Sequence, residues 1–144
     1  MFLGEYNHSI DDKGRLALPA KFREQLAAGI VITRGLDGCL FVLTYEDWNR
    51  FTSQLSEKLP FTQKSGRDLT RFFFAGASHL IPDRQGRILI PPFLREYAQL
   101  DSDAVITGAN TRLEVWNPDR WQQTMHRVEQ DAEQVAEQFG NITF

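Results

Sequence analysis

The sequence predicts an α+β fold: two tandem repeats joined into one pseudo-symmetric domain, their strands interleaved into a small barrel with helices at its flanks. Three observations carry that expectation. The stretch "DDKGRLALPAKFR" (11–23) returns half a chain later as "DRQGRILIPPFLR" (83–95). The order of elements downstream of each copy is the same. A strand–helix–hairpin unit of about 45 residues is also too small to bury a good core alone, so the two units must share one.

Aligning Gly14 on Gly86, an offset of 72, brings Phe2 onto Phe74, Gly4 onto Gly76, Asp11 onto Asp83 and Arg15 onto Arg87. Leu16 then meets Ile88, Leu18 meets Ile90, Pro19 meets Pro91, Phe22 meets Leu94 and Arg23 meets Arg95. The shared pattern is D-x-x-G-R-φ-x-φ-P-x-x-φ-R, with φ apolar. Further on, "VITRGLDGCLFVLTYEDW" (31–48) resembles "VITGANTRLEVWNPDRW" (105–121) with a slip of one or two residues.

Each element follows from local chemistry. "DDKG" and "DRQG" are turns, because Asp accepts nearby backbone hydrogen bonds and Gly supplies a positive φ. "RLAL" and "RILI" read as short strands. Proline then stops the strand and suits the first turn of a helix. "PAKFREQLAAG" places Phe22 and Leu26 four residues apart, with Gly29 to end the helix. "IVIT" and "CLFVL" form a hairpin across "RGLDG". Thr44 caps the next helix, which carries Trp48, Phe51, Leu55 and Leu59 at helical spacing. "TQKSGRDLTRFFFAGA" reads as a third helix in spite of Gly66. In the second unit Pro91-Pro92 opens a short helix through Tyr97, and "AVIT" and "RLEVW" make the second hairpin. Asn117 caps the last helix with Pro118 at its first position. Its apolar stripe is Trp121, Met125, Val128, Val135 and Phe139.

The totals set the class. The 144 residues are 42% hydrophobic and 24% charged, which suits a soluble globular domain. No apolar run approaches the roughly 18 residues of a membrane span. "MFLGEYNHS" lacks the basic start and apolar stretch of a signal peptide, so a cytoplasmic location is expected. The single cysteine, Cys39, excludes an internal disulfide and a thiolate zinc cluster, and its apolar surroundings suit a small buried hydrophobe. The formal charge of −3 argues against nucleic acid, but its distribution does not. Residues 64–95 carry six cations against two anions, a net +4, while 114–144 carry the reverse, a net −4. Such polarity lets a chain show a cationic face to one partner.

Two readings of Arg15 and Arg87 stand side by side. Each guanidinium reaches a phosphate or the O6/N7 edge of guanine, or each forms an Asp–Arg pair that merely pins its turn. Both hold together if Asp fixes the guanidinium while its spare donors face outward. Lys21, Arg23, Lys64, Arg67, Arg71, Arg84 and Arg95 are candidate phosphate contacts, informative as a group only if they share a face. His8, His79 and His126 have no metal-ligand spacing. His8 and His79 hold similar places before their motifs, where a structural hydrogen bond suits them. "RFFFAG" reads as core or subunit interface, since Phe2 repeats Phe74.

Two copies of D-x-x-G-R-φ-x-φ-P, each followed by a short helix and a hairpin, resemble the MraZ family of bacterial transcriptional regulators. "MFLGEYNHSIDDKGRLALPAKFR" is similar to that family's usual opening. Each unit resembles the swapped-hairpin module of AbrB- and SpoVT-type DNA-binding proteins, and the resemblance spans essentially the whole chain. It implies a double-split β-barrel with a first repeat at 5–48, connecting helices at 49–75, a second repeat at 76–121 and a C-terminal helix and tail at 122–144. It also implies ring-like homo-oligomers that bind double-stranded DNA at short direct repeats upstream of the division and cell-wall gene cluster, usually as a repressor. The expected location is then nucleoid-associated cytoplasm. The DNA-binding set it implies is Asp11, Lys13, Gly14, Arg15, Lys21 and Arg23 in the first copy and Asp83, Arg84, Gly86 and Arg87 in the second. The copies differ where Asp12 becomes Arg84, Lys13 becomes Gln85 and Lys21 becomes Phe93. Lys13, Lys21 and Arg23 make the first copy the expected DNA-facing one.

Three function classes compete. A DNA-binding regulator leads, with no cofactor, no metal, no membrane and no small-molecule substrate. An antitoxin-like or other protein-interaction module without DNA binding is the alternative, because fold does not fix function. An enzyme using Asp11 and Asp83 as paired carboxylates ranks last, since an arginine four residues on keeps each one ionised.

Overall fold

The computed structural model describes residues 1–144. Eight strands and five helices make an α+β fold. The first half runs β1 (Glu5–Ser9), β2 (Arg15–Ala17), α1 (Arg23–Leu26), β3 (Ile30–Arg34), β4 (Leu40–Thr44), α2 (Tyr45–Lys58) and α3 (Lys64–Ala75). The second runs β5 (Ser78–Leu80), β6 (Arg87–Leu89), α4 (Pro92–Tyr97), β7 (Asp103–Gly108), β8 (Leu113–Trp116) and α5 (Pro118–Glu137).

Six strands form one antiparallel sheet in the order β1-β7-β8-β4-β3-β5, and β2 pairs with β6 in a separate ribbon. Exchanging each strand for its counterpart in the other repeat reads this order backwards, so the sheet has a pseudo-two-fold. The edge strands cross over. β1 pairs with β7, Glu5 opposite Thr107, and β5 pairs with β3, Leu80 opposite Ile30. At the centre β4 pairs with β8. The interleaving expected from the repeat is therefore real.

Strand alternation splits the core into two layers. Ile30, Ile32, Leu40, Val42, Ile106 and Val115 face the ribbon and meet Leu16, Leu18, Ile88 and Ile90. Phe41, Leu43, Val105 and Trp116 face the other way and are covered by Trp48, Phe51 and Leu55 of α2, by Leu69 and Phe73 of α3, and by Trp121 of α5. Burial on both faces explains why β3 and β4 read as continuous apolar runs. The caps are local and form as expected. Thr44 Oγ1 accepts from Asp47 N at 3.1 Å, and Asn117 Oδ1 accepts from Arg120 N at 3.0 Å.

Several expectations need correction. "PAKFREQLAAG" makes only a 3₁₀ turn (Ala20–Phe22) and a single turn of α1, because after Pro19 only Phe22 and Leu26 bury their side chains before Ile30 enters the sheet. β1 and β5 carry no sequence signal strong enough to announce them: both are edge strands with polar, half-exposed patterns. The helix through Gly66 forms as expected, and Gly66 is buried where a side chain would run into the Pro60 carbonyl.

The pairing of Phe2 with Phe74 fails. Phe2 is fully buried, edge-on to Phe22 at 5.1 Å, whereas Phe74 is 44% exposed and leans on Trp48. The buried ring of "RFFFAG" is Phe73. The histidines are not equivalent either. His8 lies opposite Ala104, and His79 lies opposite Val31, whose counterpart Val105 faces Asn7. Neither makes the structural hydrogen bond expected of it. His79 packs against Tyr45 with ring centroids 4.3 Å apart, and burial, helped by Arg23, pushes His8 below its ordinary 6.5.

Candidate nucleic-acid interface

The two turns have the same geometry. In the first, Asp11 Oδ1 accepts from Lys13 N at 3.0 Å and Arg15 N at 2.9 Å, while Oδ2 accepts from Arg15 Nε at 2.6 Å. In the second, Asp83 Oδ1 accepts from Gln85 N and Arg87 N, both at 2.9 Å, and Oδ2 accepts from Arg87 Nε at 2.9 Å. Gly14 and Gly86 close the turns at φ 86° and 73°, a region L side chains enter only at a cost. Each aspartate thus spends its carboxylate on aiming the arginine, and the terminal guanidinium nitrogens remain for a ligand.

The backbone N–H of Arg15 does most to hold Asp11 below its ordinary 3.8, and the Arg87 N–H does the same for Asp83, in each case against a smaller opposing effect of burial. Both carboxylates stay ionised at neutral pH and are poor general acids, which weighs against the paired-carboxylate enzyme. The sign for stability follows from the lowered values. The turns hold fully above pH 3.8 and are lost as pH falls through the lower folded-state values. Carboxyl titration by NMR is expected to give midpoints below 3.8 for both residues, with amide protection of Arg15 and Arg87 lost over the same range. A midpoint at or above 3.8 for either one would overturn the carboxylate–arginine lock.

The ribbon brings the two arginines to one face. Arg15 lies opposite Leu89, Leu16 opposite Ile88, and Ala17 opposite Arg87. Leu16 and Ile88 point into the core, so Arg15, Ala17, Arg87 and Leu89 all point outward. Arg15 and Arg87 are diagonal neighbours with a spacing of about 7–8 Å. Leu89, 55% exposed between them, was not singled out from the sequence. Its signal was there: if Ile88 is core, residue 89 must share the side of Arg87.

The interleaving also redistributes the cations. A Cβ built on Gly14 would stand 2.6 Å from Arg95 Cζ, and one on Gly86 would stand 2.5 Å from Arg23 Nε. The arginine that ends each motif therefore covers the turn of the other repeat. The first turn has Lys13 and Arg15 of its own and Arg95 from the second repeat; the second has Arg84 and Arg87 and receives Arg23 from the first. Lys13, Lys21 and Arg84 are exposed, and none pairs with a carboxylate. At the place of Lys21 the second repeat has Phe93, whose ring lies 5.8 Å from the Arg34 guanidinium.

The condition that all candidate cations share a face is not met. Lys64, Arg67 and Arg71 belong to α3, which packs through Phe73 and Leu69 on the sheet face away from the ribbon. Asp68 takes Lys64 and Arg71, at 4.0 and 3.1 Å, and Arg67 donates to the Phe61 carbonyl at 3.0 Å. The net +4 of residues 64–95 is thus divided between two layers. Cys39 has no part in any site: it is buried, donates to the Leu36 carbonyl at 3.3 Å, and burial pushes its thiol far up.

Comparison with known proteins agrees with the doubled sequence. A family model described as "MraZ protein, putative antitoxin-like" matches twice, over residues 1–72 and 73–141. A protein of Moorella thermoacetica named Transcriptional regulator MraZ is 50% identical over 137 residues, 95% of each chain. Proteins of the same name from Acetivibrio thermocellus and Roseiflexus castenholzii are 49% and 47% identical, covering 99% and 100% of both chains. With a match to each repeat and relatives alike from end to end, the chain belongs to the MraZ family.

Proposed function

We propose that the protein is a transcriptional regulator that binds double-stranded DNA through the outward face of its β2–β6 ribbon. The observation that carries this is the pair of carboxylate-aimed arginines, Arg15 and Arg87, side by side on that face with Lys13, Arg84, Arg23 and Arg95 around them. A two-stranded ribbon fits the DNA major groove, where a guanidinium pairs with guanine O6 and N7. The surrounding cations suit phosphates. Sheet and ribbon are read as a double-split barrel whose repeats span 5–48 and 76–121.

A ribbon this small makes few contacts, so copies joined in a ring would gain by avidity on short direct repeats. Repression of the division and cell-wall gene cluster is the regulatory outcome in keeping with the family. The surface suited to joining copies is α5 and the turn after it, where Val128 and Val135 of the helix and Phe139 of the turn are 38–54% exposed. Phe139→Glu is expected to shift the assembly toward smaller species in light scattering while leaving the circular dichroism of the fold unchanged. An unaltered mass would move the contact elsewhere.

Gel shifts test the function itself, using DNA from upstream of the protein's own gene against a scrambled duplex at two salt concentrations. The expected result is tight, salt-sensitive binding to tandem sites and weak binding to one. Equal affinity for one site and several would remove the ring mechanism. The words "antitoxin-like" in the family description favour a second reading, a protein partner in place of DNA. Stoichiometric co-purification of a small protein, with no DNA shift, would establish it.

A further inference from the structure

We infer that Arg23 and Arg95 are positioning residues that act across the repeats, each holding the DNA-contacting turn of the other half, so that the two turns work as one coupled unit. The inference rests on the turns being the DNA contact. Its geometry comes from two independent sets of contacts. The backbone is wired crosswise: Ile90 N donates to Gly14 O at 3.0 Å, and Leu18 N donates to Gly86 O at 2.9 Å. The side chains follow the same wiring, with Arg95 against Gly14 and Arg23 against Gly86. Each glycine is buried beneath the other repeat's arginine and held by the other repeat's strand end.

Both glycines take a positive φ that L side chains rarely adopt, and where a Cβ would stand lie the Arg95 guanidinium at Gly14 and the Nε, Cδ and Cγ of Arg23 at Gly86. On the first-repeat side the wiring closes into a loop. Leu18 gives its N–H to Gly86, and its carbonyl accepts from Arg23 Nε at 3.2 Å, the same guanidinium that covers Gly86. Arg95 has no such anchor: its Nε is buried without a partner. The contact that Arg95 does make is that of its guanidinium with Gly14. Its contact with the turn is what the position provides. Gly14 is followed directly by Arg15, so whatever braces the glycine also fixes where the Arg15 guanidinium starts from.

The proposal differs from a plain phosphate contact in which residues it couples. In full-length protein, Arg95→Gln is expected to speed amide exchange at Gly14 and Arg15 and leave Gly86 and Arg87 unchanged, with the mirror pattern for Arg23→Gln. On a tandem-site duplex from the protein's own upstream region, Arg95→Gln is expected to weaken binding about five- to tenfold. That loss should nearly vanish in the Arg15→Ala background and persist in full in the Arg87→Ala background. Coupling within the same repeat, faster exchange at both turns alike, or additive losses with both arginines would overturn the crosswise role. If the wild type binds no duplex, the DNA reading falls, while the exchange pattern still decides the wiring.

Discussion

Arg15→Ala and Arg87→Ala are each expected to weaken binding to tandem-site DNA by about 1–3 kcal/mol per contacted site while leaving the fold intact. The losses should be of similar size. From the sequence the first copy looked dominant, because Lys13 lies beside Arg15, and Lys21 and Arg23 follow it. In the folded chain each turn collects three cations, and both arginines stand on the same ribbon face. Arg15→Lys is not expected to restore binding, since an ammonium lacks the Nε that Asp11 Oδ2 grips at 2.6 Å and the fork that reads guanine. Gel shifts paired with circular dichroism check the set. A strong loss for Arg15→Ala beside an unchanged Arg87→Ala would return the first copy to its expected dominance, with the ribbon touching DNA by one turn only.

Phe2→Ala is expected to cost about 3–5 kcal/mol, because it empties a fully buried ring site at the heart of the shared core. For a domain of ordinary stability that is a large share of the total. Phe74→Ala, at the position the repeat pairs with Phe2, is expected to cost about 1 kcal/mol, since it removes one partly exposed contact with Trp48. Urea unfolding reads both as shifts in midpoint at constant slope. Equal costs would mean that the pseudo-symmetry extends to the start of each repeat, contrary to the packing described above.

The contrast between Phe2 and Phe74 marks where the repeat stops being a guide. The match holds from Asp11 to Arg23 and from Asp83 to Arg95, where turn, strand and proline are dictated by residues a few positions apart. It fails upstream because Phe2 bridges to Asn110 and is folded into the core, while the second repeat is entered from α3, whose helical path brings Phe73 inward and leaves Phe74 at the surface. The histidines mislead for a related reason. A shift of one residue in a strand turns a side chain to the opposite face, so His8 and His79 look alike in sequence and are not alike in the sheet. α3 shows the limit for charge. Its cations sit in the same segment as the second motif, yet the helix packs on the sheet face away from the ribbon.

The sequence by itself determined the doubled turn, its aspartate-to-arginine grip, the helix caps at Thr44 and Asn117, and the strand, proline and short helix after each glycine. All of these are hydrogen bonds and torsions that span about four residues, so their partners lie within sight along the chain. Tertiary structure alone decided which repeat completes which turn. β1 crosses to β7, β5 crosses to β3, and with them Arg95 comes to rest on Gly14 and Arg23 on Gly86. Nothing local distinguishes an arginine bracing its own turn from one bracing its twin. The shared hydrophobic core makes that choice, because neither repeat can bury Leu16, Leu18, Ile88 and Ile90 without the other.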